Sequence, residues 1–162
     1  MEKIKVIEVL RLIVSIVICQ LAGLIGSFFT TPGIPTWYAA LRKPTFTPPN
    51  WLFAPVWTTL FVLMGISLFL IWRKPVITPK VRTALIVFAL QLALNVLWSI
   101  LFFGLRSPLA GFIEILILWV VILLTIVNFY RLSSAAGVLL IPYILWVSFA
   151  AILNFSLWRL NT

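Results

Sequence analysis

Five apolar runs, each about as long as a bilayer is thick, leave this chain few ways to fold. They lie at about Val6–Phe29, Asn50–Trp72, Thr83–Phe103, Leu109–Phe129 and Ala135–Trp158. A spanning helix needs roughly 20 apolar residues, and in hydrocarbon every backbone N–H and C=O must be satisfied within the protein. The expected fold is therefore all-α, a polytopic bundle of five transmembrane helices, with 1–162 forming one domain. Only 9% of the 162 residues are charged and 64% are hydrophobic, whereas a soluble domain is about 25% charged.

The connections carry the remaining polarity. Thr30–Asn50 reads as a polar, proline-rich connection, with Asn50 as the N-cap of the second span. Lys3 and Lys5 ahead of the first run resemble the start of a signal peptide, but the run exceeds the roughly 7–15 residues of a cleaved segment, so it reads as a retained helix. The net charge of +9 is dispersed in ones and twos between the runs, which excludes a nucleic-acid surface. Lys and Arg number eight at the N-terminus and the second and fourth connections, against four on the other side. The richer side is expected to be cytoplasmic, placing the N-terminus inside a bacterial cell membrane.

Absences narrow the chemistry. There is no histidine and a single cysteine, Cys19, so zinc, haem-iron, disulfide and Ser/His or Cys/His nucleophile chemistry all lack their residues. No metal site and no required cofactor are expected. No internal repeat is visible, and five spans do not divide into the two halves common in transporters.

Polar residues within the spans point inward. Gln91, Asn95 and Ser99 recur every fourth residue and share a helix face, with Trp98 beside them. This stripe either bonds helices together or recognises a ligand in a cavity. Ala89 and Ala93, nearly opposite, suit close approach of another helix, from this chain or from a second protomer. Trp146, Ala150 and Asn154 share a face of the fifth span, after Pro142, and Trp57 and Phe61 share one of the second, after Pro55. Trp51, Trp72 and Trp158 sit where an interfacial aromatic belt belongs. Trp57, Trp98 and Trp146 lie deeper, as in an aromatic box. Glu114, the one acid well inside a span, is expected to make a structural hydrogen bond.

Several motifs recur together. Trp37-Tyr38-Ala39-Ala40-Leu41-Arg42-Lys43-Pro44, Phe46-Thr47-Pro48-Pro49-Asn50-Trp51 and Pro55-Val56-Trp57-Thr58 resemble the signature of the TspO/MBR family, that of the translocator protein or peripheral benzodiazepine receptor. Gln91-Leu92-Ala93-Leu94-Asn95 with Trp98 and Phe102-Phe103-Gly104 is similar to its third helix. Pro142-Tyr143-Ile144-Leu145-Trp146, Phe149-Ala150 and Leu153-Asn154 are similar to its fifth. The resemblance implies a five-helix bundle, usually dimeric, with a pocket under the long first connection. It implies binding of porphyrins such as protoporphyrin IX and of isoquinoline-carboxamide and benzodiazepine ligands, with a receptor or transport role. Carried over by motif, the pocket residues are Tyr38, Trp57, Asn95, Trp98, Trp146 and Ala150.

A flat macrocycle could stack on these indoles while its propionates pair with Arg42 or Lys43. Without histidine, a metal-free porphyrin suits the site better than haem. The resemblance also implies, for some bacterial relatives, light-dependent degradation of protoporphyrin, an activity linked to tryptophans that match Trp57 and Trp146. Two positions depart from the family pattern. Phe46 replaces a frequent tryptophan, and Phe155 stands where the sterol-recognition pattern needs tyrosine, so the sequence gives no basis for assigning cholesterol as a ligand. A reporter fused after Thr162 should signal from the non-cytoplasmic side, and a cytoplasmic signal would overturn the orientation.

Overall fold

The computed structural model describes residues 2–162, with side chains from Val6 onward, so the side chains of Lys3 and Lys5 lie outside the described residues. Helix α1 covers Glu2–Gly33 and continues through a π-helical turn at Ile34–Tyr38. Helices α2 (Asn50–Trp72) and α3 (Pro79–Ser99) follow, the latter ending in a second π turn at Ile100–Gly104. Helices α4 (Pro108–Leu132), α5 (Ser134–Val138) and α6 (Ile141–Leu160) complete the chain. Five helical stretches are long and apolar enough to cross a membrane: Val6–Tyr38, Asn50–Trp72, Pro79–Gly104, Pro108–Leu132 and Ser134–Leu160. The protein is an all-helical, multi-pass integral membrane protein.

Proline sets the helix boundaries. Pro79, Pro108 and Pro142 stand in the first turns of α3, α4 and α6, where a missing N–H costs nothing. Ser107 and Ser133 cap α4 and α5 by accepting from the backbone N–H of Ala110 (3.2 Å) and Ala136 (3.4 Å).

Several boundaries differ from the sequence expectation, among them the start of α3 at Pro79 rather than Thr83 and the end of α4 at Leu132 rather than Phe129. The first span does not stop at Phe29; helix persists past Pro32, and Pro35 lies in the π turn. Tertiary packing holds this segment against proline's preference: a Cβ on Gly33 would lie 2.9 Å from the Phe103 ring, and Tyr38 is buried. Asn50 is not the N-cap. Pro49 takes that position in extended conformation, and Asn50 begins α2 without a side-chain cap. The fifth span is broken between α5 and α6, because the ring of Pro142 would meet the carbonyl of Val138, the residue at which α5 ends.

Helix α1 packs along α2 and α3, while α4 packs along α3 and α6. Met64, Ile71, Leu118, Ile122, Phe129 and Val147 are fully or almost fully buried between them. Leucine, isoleucine and valine also cover the exterior, as at Ile13, Val17, Leu116, Ile117 and Leu124. The interior is where the polar residues are: Ser15, Ser67, Gln91, Asn95, Ser99, Glu114, Thr125 and Asn154 are all buried. Ser67 donates to the carbonyl of Ala136 at 2.7 Å, tying α2 to the short α5. Ala89 and Ala93 are exposed, so neither packs against another helix of this chain.

Helices α1 and α2 meet at Gly65, where a Cβ would lie 2.5 Å from the Cα of Ile16. Helix propensity alone makes Gly→Ala favourable by about 1 kcal/mol. Here the contact is with backbone, which cannot rotate away, so Gly65→Ala should destabilise by roughly 1–3 kcal/mol. Unfolding in SDS followed by circular dichroism decides the sign, and a stabilised variant would mean the two helices do not touch here.

Candidate functional site

The small and weakly polar residues of α1 share one face at helical spacing, Gly23, Gly26, Ser27 and Thr30, and Ile34 at the start of the π turn continues the wall. Opposite them stand Phe53, Trp57 and Phe61 of α2, Asn95 and Trp98 of α3, Phe102 and Phe103 of its π turn, and Trp146, Ala150 and Asn154 of α6. Between these faces lies a cavity of about 400 Å³ with no charged side chain in its lining. That size falls within the range of small-molecule sites, about 300–1,000 Å³. A smaller void behind it, between α4 and the same tryptophans, shares Trp57, Asn95, Trp98 and Ala150.

Aromatic rings form most of the wall. Trp98 stacks on Phe102 with centroids 5.1 Å apart and planes inclined by 11°. Trp57 lies edge-on to Tyr143 at 6.3 Å, and Trp146 lies between Phe53 (6.0 Å) and Phe149 (5.6 Å). Two hydrogen-bond networks fix these walls. Asn95 Nδ2 donates to the Tyr143 hydroxyl at 2.9 Å, which donates to Gln91 Oε1 at 3.0 Å. Trp98 Nε1 donates to Asn154 Oδ1 at 3.0 Å, and Asn154 Nδ2 donates to the Pro108 carbonyl at 2.8 Å. Gly111 lets α4 approach closely enough for this, since a Cβ there would lie 2.8 Å from Phe102 and 3.1 Å from Asn154 Oδ1. The α3 stripe thus bonds helices together through Gln91 and Asn95, and also lines the cavity through Asn95 and Ser99.

Two buried polar atoms on lining residues have no protein partner among the described residues: the Tyr38 hydroxyl and Trp146 Nε1. Both can donate a hydrogen bond. Glu114 corrects an expectation, for the residue is only 4% exposed and neither carboxyl oxygen has a hydrogen-bond partner among the described residues.

All six residues assigned to a pocket by motif, Tyr38, Trp57, Asn95, Trp98, Trp146 and Ala150, line the one cavity. Arg42 and Lys43 do not. Arg42 is exposed, and Lys43 Nζ donates to the carbonyls of Ala39 (3.1 Å) and Leu41 (3.4 Å) and sits over the Tyr38 ring. Phe46 lies 6.3 Å from Phe149, outside the lining. The α1 wall and the Phe102–Phe103 pair were not singled out as site residues. The Gly/Ser/Thr spacing on α1 was the available signal.

The arrangement is a helical membrane bundle with an uncharged cavity walled by tryptophan and carboxamide side chains. A profile of the TspO/MBR family matches residues 15–159. The chain is 47% identical to the "Tryptophan-rich protein TspO" of Archaeoglobus fulgidus, covering 95% of this chain and 99% of that one. It is 44% identical to the protein of the same name from Chlorobaculum tepidum, over 95% and 98% of the two chains. The human "Translocator protein" is 37% identical over 88% of this chain and 85% of its own. The chain belongs to the TspO/MBR family.

Asn154 anchors one wall through two bonds, each worth about 0.6 kcal/mol on average between membrane helices. Asn154→Leu keeps the volume but leaves the Trp98 N–H unpaired and removes the bond from α6 to the Pro108 carbonyl, and should lower stability by roughly 1–3 kcal/mol. SDS unfolding monitored by tryptophan fluorescence tests this, and a loss below about 0.5 kcal/mol would mean the network is not formed.

Proposed function

We propose that the cavity binds a flat, mainly apolar molecule with hydrogen-bond acceptors on its edge, and that protoporphyrin IX is such a ligand. The protein then acts as a tetrapyrrole receptor or translocator, with isoquinoline-carboxamide and benzodiazepine compounds as further ligands. One observation carries this reading: six motif residues far apart in sequence converge on a single cavity with aromatic faces and no charge. Indole faces stack on a macrocycle. The spare donors of Tyr38 and Trp146 need an acceptor, which a carbonyl or carboxylate supplies. Arg42, exposed beside the turn that carries Tyr38, is within the segment where a propionate would emerge; Lys43 is the second candidate. The absence of histidine favours the metal-free porphyrin over haem.

A second reading is light-dependent oxidation of the bound porphyrin, with oxygen as oxidant and Trp57 and Trp146 as redox-active indoles. It is favoured by the presence of both indoles in the same cavity wall. For the assembly, we propose a homodimer through α3, supported by the exposure of Ala89 and Ala93.

Enlarging Ala150, which borders both cavities, should block the site. Overpacking costs about 1–3 kcal/mol, so Ala150→Phe should weaken protoporphyrin IX binding at least tenfold, at about 1.4 kcal/mol per decade. Tryptophan quenching measures it, and unchanged affinity would mean the ligand sits elsewhere. Trp146→Phe should retain most of the binding, and under illumination should stop porphyrin bleaching if the second reading holds. Bleaching at the wild-type rate would make Trp146 a wall only.

A further inference from the structure

The connection between α2 and α3, at the end of the bundle away from Tyr38, joins two features that neither the cavity nor the core uses. Arg73, Lys74, Lys80 and Arg82 stand close together in it, and the segment holds no acid. Arg73 is paired, its Nε 3.1 Å from one oxygen of Glu8, and Arg11 lies 3.6 Å from the other. Lys74, Lys80 and Arg82 have no carboxylate partner among the described residues. Between them the chain turns, with Thr78 N donating to the Pro75 carbonyl at 3.1 Å and Lys74 N to that of Ile71 at 3.0 Å. Buried Ile71 and Val81 hold the two ends of the segment in the core. At the tip of the turn Val76 is 45% exposed and Ile77 93%, more than any other large hydrophobic among the described residues. Cations at the other end of the bundle are engaged differently: Lys43 Nζ bonds carbonyls of its own turn, and Arg159 lies over the Trp158 ring.

We infer that the α2–α3 connection docks the headgroup of an anionic glycerophospholipid, with Lys74, Lys80 and Arg82 supplying the charge and Val76 and Ile77 entering the bilayer beside it. Position argues for lipid. The flanking spans, Asn50–Trp72 and Pro79–Gly104, have 23 and 26 residues, about 35 and 39 Å of helix against a hydrocarbon core of about 30 Å. Residues 73–78 must leave and return, so they rise no more than about 10 Å beyond the helix ends. The connection therefore lies at headgroup depth, and Ile77 meets lipid rather than bulk water. Charge argues for an anionic headgroup. Each lysine or arginine near such a surface contributes about a fivefold preference, and the one nearby acid, Glu8, is already shared by two arginines. A zwitterionic headgroup would bring its own cation against these three. The apolar tip separates this site from loop cations that only fix orientation, since orientation needs charge and no exposed aliphatic residue.

The test reads lipid at the turn itself. Thr78 is exposed and makes no side-chain cap bond, so Thr78→Cys can carry a bimane there, while Cys19 is buried and stays unlabelled. The labelled full-length protein is reconstituted in phosphatidylcholine vesicles containing a minor fraction of phosphatidylglycerol, or of phosphatidylcholine, brominated near the top of its acyl chains. Brominated phosphatidylglycerol should quench with an apparent association constant at least about fivefold above that of brominated phosphatidylcholine. Adding Lys74→Gln, Lys80→Gln and Arg82→Gln should bring the two within about twofold. Equal quenching before those changes overturns the inference, and so does a preference that survives them. Arg106→Gln with Arg159→Gln removes charge from the opposite end and should leave the preference intact. Its loss there would mean that net charge, not this connection, attracts the lipid, and would overturn the site. Raising salt from about 0.05 to 0.5 M shortens the screening length to about 4 Å and should cut the preference at least threefold, a reading that needs no charge variant to fold. A salt-independent preference overturns the electrostatic account. Inorganic phosphate at about 10 mM and constant ionic strength should not compete; full competition would make this a free-phosphate site and overturn the lipid assignment. Ile77→Ser should at least halve quenching by both lipids, and unchanged quenching would overturn insertion of the tip.

Discussion

In hydrocarbon, apolar burial cannot decide which face of a helix turns inward, because lipid is as good a solvent for leucine as a protein core. Hydrogen bonds between helices and the close fit of small residues decide it. The Gln91–Tyr143–Asn95 and Trp98–Asn154–Pro108 networks join α3 to α6 and to the start of α4, and Ser67 joins α2 to α5. Each network fixes a rotation about a helix axis, and those rotations turn Trp57, Trp98 and Trp146 toward one space. The leucines and isoleucines outside, such as Leu116, Ile117 and Leu124, serve mainly as solvent contact.

The cavity follows from how closely the helices can approach at each level. At Gly65 the α1 and α2 backbones touch, and at Gly111 α4 rests on Phe102 and Asn154. Between those contacts the bulky indoles of α2, α3 and α6 face the small residues of α1, and space is left between them. The break before Pro142 separates the short α5 from the helix that carries Tyr143 and Trp146. A site built this way is held by rigid elements on most sides. The proline-rich connection runs between two of its lining residues, Tyr38 and Asn50.

Much of this was legible from the sequence, for reasons tied to particular residues. The spans could be read because length and hydropathy alone decide what crosses a bilayer. The α3 stripe could be read because amides cannot face lipid, and Gln91, Asn95 and Ser99 are indeed buried. The α1 wall escaped because glycine, serine and threonine are tolerated on any face of a membrane helix, so their spacing carries little energy to read. The helix through Pro32 escaped because its support comes from Phe103, some 70 residues away in the chain. Glu114 was given a partner on the general rule that buried carboxyls have one, whereas neither of its oxygens has one among the described residues.

The central claim is that the ligand sits inside the bundle, among the indoles, rather than on its lipid-facing exterior. A protoporphyrin IX derivative bearing a diazirine, activated in the dark-equilibrated complex and mapped by peptide mass spectrometry, reports this directly. Label on the segments carrying Gly23–Ile34, Phe53–Phe61, Asn95–Phe103 and Trp146–Asn154, competed away by unlabelled porphyrin, is the result this account requires. Competable label confined to outward residues such as Leu116, Ile117 and Leu124 of α4 would contradict it.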